Sequence, residues 1–384
     1  MKNSTRGSVD PFIVMDVMEA ARRLEAGGRH IIHMEVGQPS TPAPKAALDV
    51  LSKSMTSSPM GYTVALGLPE LRRKIAKLYE RWYDLSISPD RVVVTSGSSA
   101  AFLLSFTSLF DSGDRVGIGA PGYPSYRQIL KALGLVPVDI QTLPENRFQP
   151  IGSDIEGQDL AGLLVASPAN PTGTMLSREA LGVLVEACSR SGSAFISDEI
   201  YHGIEYENKA VTALEITDDC YVINSFSKYF SMTGWRIGWM IVPEYHIRRV
   251  ERLAQNMFIC APHVSQVAAI VAMECEEELQ NNLNVYRANR DIMVSGLVKA
   301  GFNTIAPPDG AFYIYADVSN LTEDSFAFAG EILNEAGVAV TPGLDFDTVR
   351  GHQALRFSYA RSTTEMVEGL ERLTNFMDLR GFVI

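Results

Sequence analysis

The chain has 384 residues, 46% hydrophobic and 20% charged, which is ordinary for a globular protein and enough for one large domain plus a smaller one. Its 45 acidic and 33 basic side chains leave a formal charge of −12. That surface repels phosphate backbones, so nucleic acid is excluded as a partner and a small anionic ligand needs a local basic site.

In chain order, Met1 to Asp10 is polar and lacks the apolar core of a signal peptide. The longest apolar stretches, such as Ala100–Phe110, are too short and too broken by serine and threonine to span a bilayer. The expectation is a soluble, cytoplasmic protein with no membrane partner. Cys188, Cys220, Cys260 and Cys275 show no metal-ligand spacing, so no metal site is expected, and free thiols in a reducing compartment are. A first helix spans Val14–Gly27 and is closed by Gly27-Gly28.

From about residue 90 to 245, short β-branched runs alternate with helical patterns. Arg91–Ser96, Arg115–Ala120, Val136–Gln141, Ala161–Ser167, Ala194–Asp198, Tyr221–Ser225 and Ile237–Val242 read as strands. Ser99–Phe110, Ser125–Leu133 and Arg178–Ser191 read as helices. Strands this apolar, alternating with helices, predict an α/β domain with a mostly parallel sheet of about seven strands flanked by helices. Ligands then sit at the carboxyl ends of the strands. The rest predicts a smaller α+β domain: an amphipathic helix over Leu279–Ala300, strands over Gly310–Asp317 and Ala354–Ser358, and a helix over Ser325–Ala336. The expected division is 40–285 for the large domain and 1–39 together with 286–384 for the small one.

Four segments at strand ends carry candidate chemistry. After Val92–Ser96, Gly97-Ser98-Ser99 opens an apolar helix, where free N–H groups favour a phosphate; a serine-capped helix explains the segment as well. Asp198 ends an apolar strand, where a carboxylate is costly unless paired; it is either a helix cap or an anion holding a heterocyclic nitrogen protonated. Asn170, in Ser167-Pro-Ala-Asn-Pro-Thr-Gly173, is either a turn residue or an amide presented at the ligand edge. Lys228 follows a buried strand among serines and aromatics, where a lysine can have a lowered pKa and act as an amine nucleophile; most lysines are surface charges.

Together, the order and spacing of these segments resemble the fold type I pyridoxal-phosphate (PLP) enzymes, specifically the class I/II aminotransferases of the aspartate aminotransferase superfamily. The strongest match is Ser-Phe-Ser-Lys-Tyr-Phe-Ser-Met-Thr-Gly-Trp-Arg-Ile-Gly-Trp, Ser225 to Trp239. Asn170-Pro-Thr-Gly, Asp198-Glu-Ile-Tyr201, Gly61-Tyr-Thr63, Pro121-Gly-Tyr-Pro-Ser-Tyr126 and Leu355-Arg-Phe-Ser-Tyr-Ala360 support it.

The resemblance implies the PLP-dependent transferase fold and an aminotransferase (transaminase) exchanging an amino group between an L-amino acid and a 2-oxo acid, with 2-oxoglutarate the expected acceptor. It makes Lys228 the Schiff-base lysine and proton carrier, and Asp198 the partner of the pyridine nitrogen. Tyr201 and Asn170 would bond the ring's phenolic oxygen, and Tyr123 would stack on the ring. Gly97, Ser98, Ser99, Ser225 and Arg236 would hold the phosphate, with Tyr62 reaching the partner's phosphate in a homodimer with shared sites. Arg356 would clamp the substrate α-carboxylate, beside the backbone of Gly37; a structural salt bridge is the alternative for that arginine. Phe12, Ile13, Val14 and Phe312 form either an apolar wall near the substrate or ordinary core. No second arginine for a substrate side chain stands out. Asp347 departs from the family loop Pro-Gly-x-x-Phe-Gly by replacing its last glycine. A PLP-dependent C–S β-lyase or another fold type I PLP enzyme, such as an α-oxoamine synthase, on the same site is the competing enzyme reading. A DNA-binding regulator carrying such a domain is disfavoured by the charge and by the absence of a helix-turn-helix before Val36.

Overall fold

The computed structural model describes residues 2–382. Helix α1 (Ile13–Ala26) leads into the short strand β1 (Ile32–His33), followed by α2 (Lys45–Ser57) and α3 (Pro69–Tyr83). The alternating part then runs β2 (Val92–Thr95), α4 (Ser98–Leu109), β3 (Arg115–Ala120), α5 (Pro124–Leu133), β4 (Val136–Gln141), the single turn α6 (Gly152–Ile155), β5 (Gly162–Ala166), α7 (Arg178–Ser191), β6 (Ala194–Asp198), β7 (Tyr221–Ser225) and β8 (Gly238–Ile241). Local signals set these bounds. Proline opens α5 at its first position and Gly134, left-handed at φ 80°, closes it. The Ser177 side chain caps α7 and Gly192 ends it at φ 71°.

The seven strands form one sheet in the order β2-β8-β7-β6-β5-β3-β4. Only β8 is antiparallel to its neighbours; the others run one way, and β2 and β7 are buried at every position. Two apolar layers enclose the sheet, one including Phe102, Phe106 and Val250, the other Tyr79, Phe226 and Trp239. The expected α/β fold with seven strands, mostly parallel, is the observed one.

Helices α8 (Ile247–Met257), α9 (His263–Ala272) and the long α10 (Glu276–Lys299) lead to a second sheet. It comprises β9 (Thr304–Ile305), β10 (Tyr313–Asp317), then, after α11 (Ser325–Glu331) and the two-residue β11 (Val338–Ala339), β12 (Thr341–Pro342) and β13 (Ala354–Ser358), ordered β12-β13-β10-β9. Strand β11 instead pairs in parallel with β1, and α12 (Thr363–Asp378) closes the described chain. Of the expected elements, three differ by several residues, the long helix α10 beginning at Glu276 rather than Leu279. Strand β10 starts at Tyr313 rather than Gly310, because Ala311 sits at φ 57° and interrupts the extended run. The helix expected over Ser325–Ala336 is α-helical only to Glu331 and finishes as a π turn over Ile332–Ala336.

Strand direction places the site. Because β2, β3, β5, β6 and β7 are parallel, Asp198 at the end of β6 lies at one edge of the sheet with Gly97, Tyr123, Asn170 and Lys228, which follow the other strand ends. Strand β8 is reversed, so its beginning lies at that same edge, and Arg236, two residues before it, joins them. Among the described residues, no helix is long and apolar enough to cross a membrane.

Candidate active site

Of these, Tyr123, Asn170, Asp198, Lys228 and Arg236, with others from both sheets, line a cavity of about 200 Å³, and Gly97 stands just behind its lining. Lys228 is half-buried in it, and its Nζ donates to the Gly37 carbonyl at 2.6 Å. Burial, then the nearby guanidinium groups of Arg356 and Arg236, push its pKa down to about 7, against the opposing pull of Asp198. The amine is therefore half neutral near physiological pH.

Asp198 is buried, and burial raises its pKa to about 6. Oδ1 accepts from the Ile200 N–H at 3.1 Å, as a cap would. Oδ2 accepts from the Tyr126 hydroxyl and the residue lines the cavity. Among the described residues no cation forms an ion pair with this carboxylate. Tyr201 shares a 2.6 Å hydrogen bond with the hydroxyl of Tyr313, and both phenols line the cavity.

Arg356, on β13, is 3% exposed. Its Nη1 donates to Asn170 Oδ1 at 2.8 Å, and its Nη2 donates to the Glu35 carbonyl and to Thr341 Oγ1. The guanidinium lies 4.5 Å from the Tyr313 ring centroid and 4.7 Å from that of Phe346. No carboxylate pairs with it among the described residues, so the salt-bridge alternative is not what the chain builds. Asn170 is more than a turn residue, since its amide oxygen holds this guanidinium. Gly37 is required by close approach: a Cβ there would lie 1.6 Å from the Tyr313 hydroxyl oxygen.

Gly97 caps α4 at φ 77°, and a Cβ on it would come 2.4 Å from Arg236 Nη2. Glycine thus lets a guanidinium lie against a helix N-terminus, two positive features converging on one spot. Ser98 and Ser99 line the cavity there. Ser225 sits one layer behind, fully buried, its hydroxyl donating to Ser227 Oγ at 2.9 Å and to the Ile237 carbonyl; Ser227 is the serine that lines the cavity.

Tyr123 forms a wall, with Phe12 edge-on at 5.9 Å. Phe12 and Val14 line the cavity and Met15 joins them. Ile13 and Phe312 do not: Phe312 is fully buried, packed edge-on behind Tyr201 at 5.6 Å. Tyr62 is 84% exposed and lies outside the cavity. Asp347 is buried and holds its own loop, accepting from the N–H groups of Val349 and Arg350 and pairing with the Arg350 side chain at 3.0 Å. Its φ is not positive, so this position does not need glycine's freedom. Sequence reasoning missed Tyr126, Tyr313, Ser227, Thr341 and Glu35. Tyr126 stood in a segment already singled out, whereas the contacts of Glu35 and Thr341 are made across more than 300 residues of chain.

The set fits pyridoxal phosphate on its own chemistry. A buried carboxylate without a cation suits a protonated ring nitrogen, a partly neutral lysine suits an aldehyde, and a helix start beside an arginine suits a phosphate. Arginine lining elsewhere is limited to Arg356.

Comparison with known proteins agrees across the chain. The family described as aminotransferase class I and II matches residues 29–373. A valine–pyruvate aminotransferase of Mycobacterium tuberculosis is 44% identical, with 97% of each chain covered. An aspartate aminotransferase of Thermotoga maritima is 33% identical over 95% of this chain and 96% of its own. Among solved structures, one from Silicibacter pomeroyi is 68% identical with a TM-score of 0.95, covering 99% of this chain and 100% of that one. The aspartate aminotransferase of Thermus thermophilus with maleate is 29% identical with a TM-score of 0.90, covering 98% and 100%.

Proposed function

The chain belongs to the class I and II aminotransferases, a PLP-dependent family, and from that premise we propose that it moves an amino group between a neutral L-amino acid and a 2-oxo acid at the Lys228 cavity. The observation carrying this reading is the convergence of half-buried Lys228 with buried Asp198 and Arg356 on one cavity, with the amine near pKa 7. When bound, pyridoxal phosphate supplies the electron sink that lets an α-proton leave an amino acid.

The chain's own residues do the rest. Lys228 is the amine that would carry the cofactor, and it would take and return a proton at the substrate α-carbon. Asp198, its outer oxygen held by Tyr126, would keep the ring nitrogen protonated. Tyr201 and Asn170 would orient the ring's phenolic oxygen while Tyr123 covers its face. Gly97, Ser98, Ser99 and Arg236 would anchor the phosphate, with Ser225 acting through Ser227. Arg356, already planar between Tyr313 and Phe346, would take the substrate carboxylate as a fork.

At the side-chain end, Phe12, Val14 and Met15 offer apolar contact and no further cation. That supports neutral side chains over aspartate. It also favours pyruvate, which the name of the M. tuberculosis relative carries, over the 2-oxoglutarate that resemblance suggests. Half-reactions followed by visible absorbance decide this: valine and alanine should convert the cofactor faster than aspartate, and fast conversion by aspartate alone would overturn the assignment. A C–S lyase would instead turn over a cysteine-type substrate many times without an acceptor, releasing 2-oxo acid, ammonia and thiol while the visible band persists, whereas the half-reaction converts the band once per site.

The homodimer also belongs to this reading. Tyr62, Val64, Met257 and Ile259 are exposed on two segments joined by the 2.8 Å contact of His263 with the Gly61 carbonyl, an apolar patch suited to a second copy. The division into 40–285 and 1–39 with 286–384 is proposed with it, as is a cytoplasmic setting consistent with four free cysteines.

A further inference from the structure

Arg356 is held by a main-chain carbonyl, and that carbonyl has its own support. The Glu35 carbonyl accepts from both Arg356 Nη2 and Thr341 Oγ1. The preceding residue is tied to two neighbouring segments, Met34 N–H donating to the Ala339 carbonyl and Ser358 N–H donating to the Met34 carbonyl at 2.7 Å. The Glu35 side chain is fully buried. One carboxylate oxygen meets His33 Nδ1 at 2.8 Å, and the other has no partner in the chain among the described residues. A fully buried carboxylate with an unfilled lone pair costs stability and needs a reason.

His33 faces a second carboxylate, with Nε2 lying 3.0 Å from Glu25 Oε1 on α1. Two acceptors on one imidazole require both nitrogens to donate, which only the imidazolium can do. The hydrogen bond to Glu35 raises the His33 pKa to about 9 despite burial, with Glu25 helping and Arg361 opposing; the Glu365 carboxylate also feels its charge. Helix α1 is held at its other end too, where the Asp345 carboxylate accepts from the N–H groups of Ile13 and Val14.

We infer that His33 and Glu35 are positioning residues for Arg356: their ion pair fixes the carbonyl to which the guanidinium donates, and Glu25 ties the cavity-lining helix α1 to the same point. The inference rests on the reading of Arg356 as the carboxylate anchor. Since the folded pKa of His33 lies above the ordinary 6.5, the clamp is complete below about pH 6.5 and is lost as pH rises through about 9.

The test compares His33→Gln, Glu35→Gln, the double variant and Arg356→Lys as holoenzymes. It reads KM and kcat for several donors, together with the calorimetric Kd of pyruvate in the absence of an amino donor. The double variant removes both charges together and leaves no buried ion unpaired. It should raise KM and the pyruvate Kd on the order of tenfold, alike for all donors, with kcat and the visible spectrum little changed. In the wild type both constants should climb above pH 9, and in the double variant that climb should vanish. A double variant with wild-type constants at every pH overturns the inference. Unchanged constants in Arg356→Lys would instead overturn the reading of Arg356. Should the His33 and Glu35 variants fail to fold, Glu25→Gln serves, because losing one acceptor should move the pH of the climb downward; an unmoved climb also overturns the inference.

Discussion

At the scale of single residues the site is governed by desolvated charge. Lys228 carries a pKa of about 7 because burial and two arginines disfavour its ammonium. Uptake of pyridoxal phosphate by apoprotein should therefore slow by about tenfold per pH unit below 7 and level off above it, as stopped-flow absorbance will record; a flat profile would mean that another amine reacts. Lys228→Ala should lack the visible band altogether. Asp198 shows how far a sequence can be read. Its place at a strand end marked it as either cap or functional anion; one oxygen does cap Ile200, while the other is held by Tyr126 at the cavity, where the anion's role is the one proposed. The tyrosine was not legible, because nothing in a Pro-Ser-Tyr turn says which strand end its hydroxyl will meet. Tyr126→Phe should leave Asp198 with one donor fewer, raise its pKa further and weaken cofactor affinity, measured by equilibrium dialysis. Retention of wild-type affinity would make the contact incidental. Arg356→Lys should impair all substrates about equally, by on the order of 2 kcal/mol in kcat/KM, since a lysine cannot reproduce the planar fork.

At the scale of elements, the strands of the large sheet were legible almost to the residue, because parallel strands buried on both faces are written as continuous β-branched runs bounded by turns. The short strands β1, β11 and β12 were not, since two residues carry no periodicity. They nevertheless set the backbone around Arg356. Helix α1 was legible, but its cap was not: Asp345 lies more than 330 residues downstream and bonds the first N–H groups of the helix. Asp345→Ala should cost about 1 kcal/mol of stability, as lost caps do. It should also loosen Phe12, Val14 and Met15 at the cavity wall, so KM for bulky apolar donors should rise more than KM for alanine. Thermal melts and a donor series check both parts; equal changes across donors would confine Asp345 to stability.

At the scale of the molecule, Tyr62, Val64, Met257 and Ile259 are exposed in the single chain, and the proposed dimer would cover them. Mixing Tyr62→Phe with Lys228→Ala subunits should restore part of the activity that each parent homodimer lacks, because hybrids would contain one site spared both changes. Activity no better than the parents, in mixtures shown to exchange, would place Tyr62 outside the partner's site.

Arg356 and the carbonyl that holds it are 321 residues apart, and this has a consequence for the chain during synthesis. At about 5–20 residues per second, roughly a quarter of a minute to a minute separates the emergence of the two. The large sheet, with Lys228 and the helix start at Gly97, can assemble well before β13 exists. A nascent chain is thus ready for the cofactor before it can grip a substrate. Ligand held at that stage would act as a folding partner for the sheet alone, and competence to react would arrive only with the last strand.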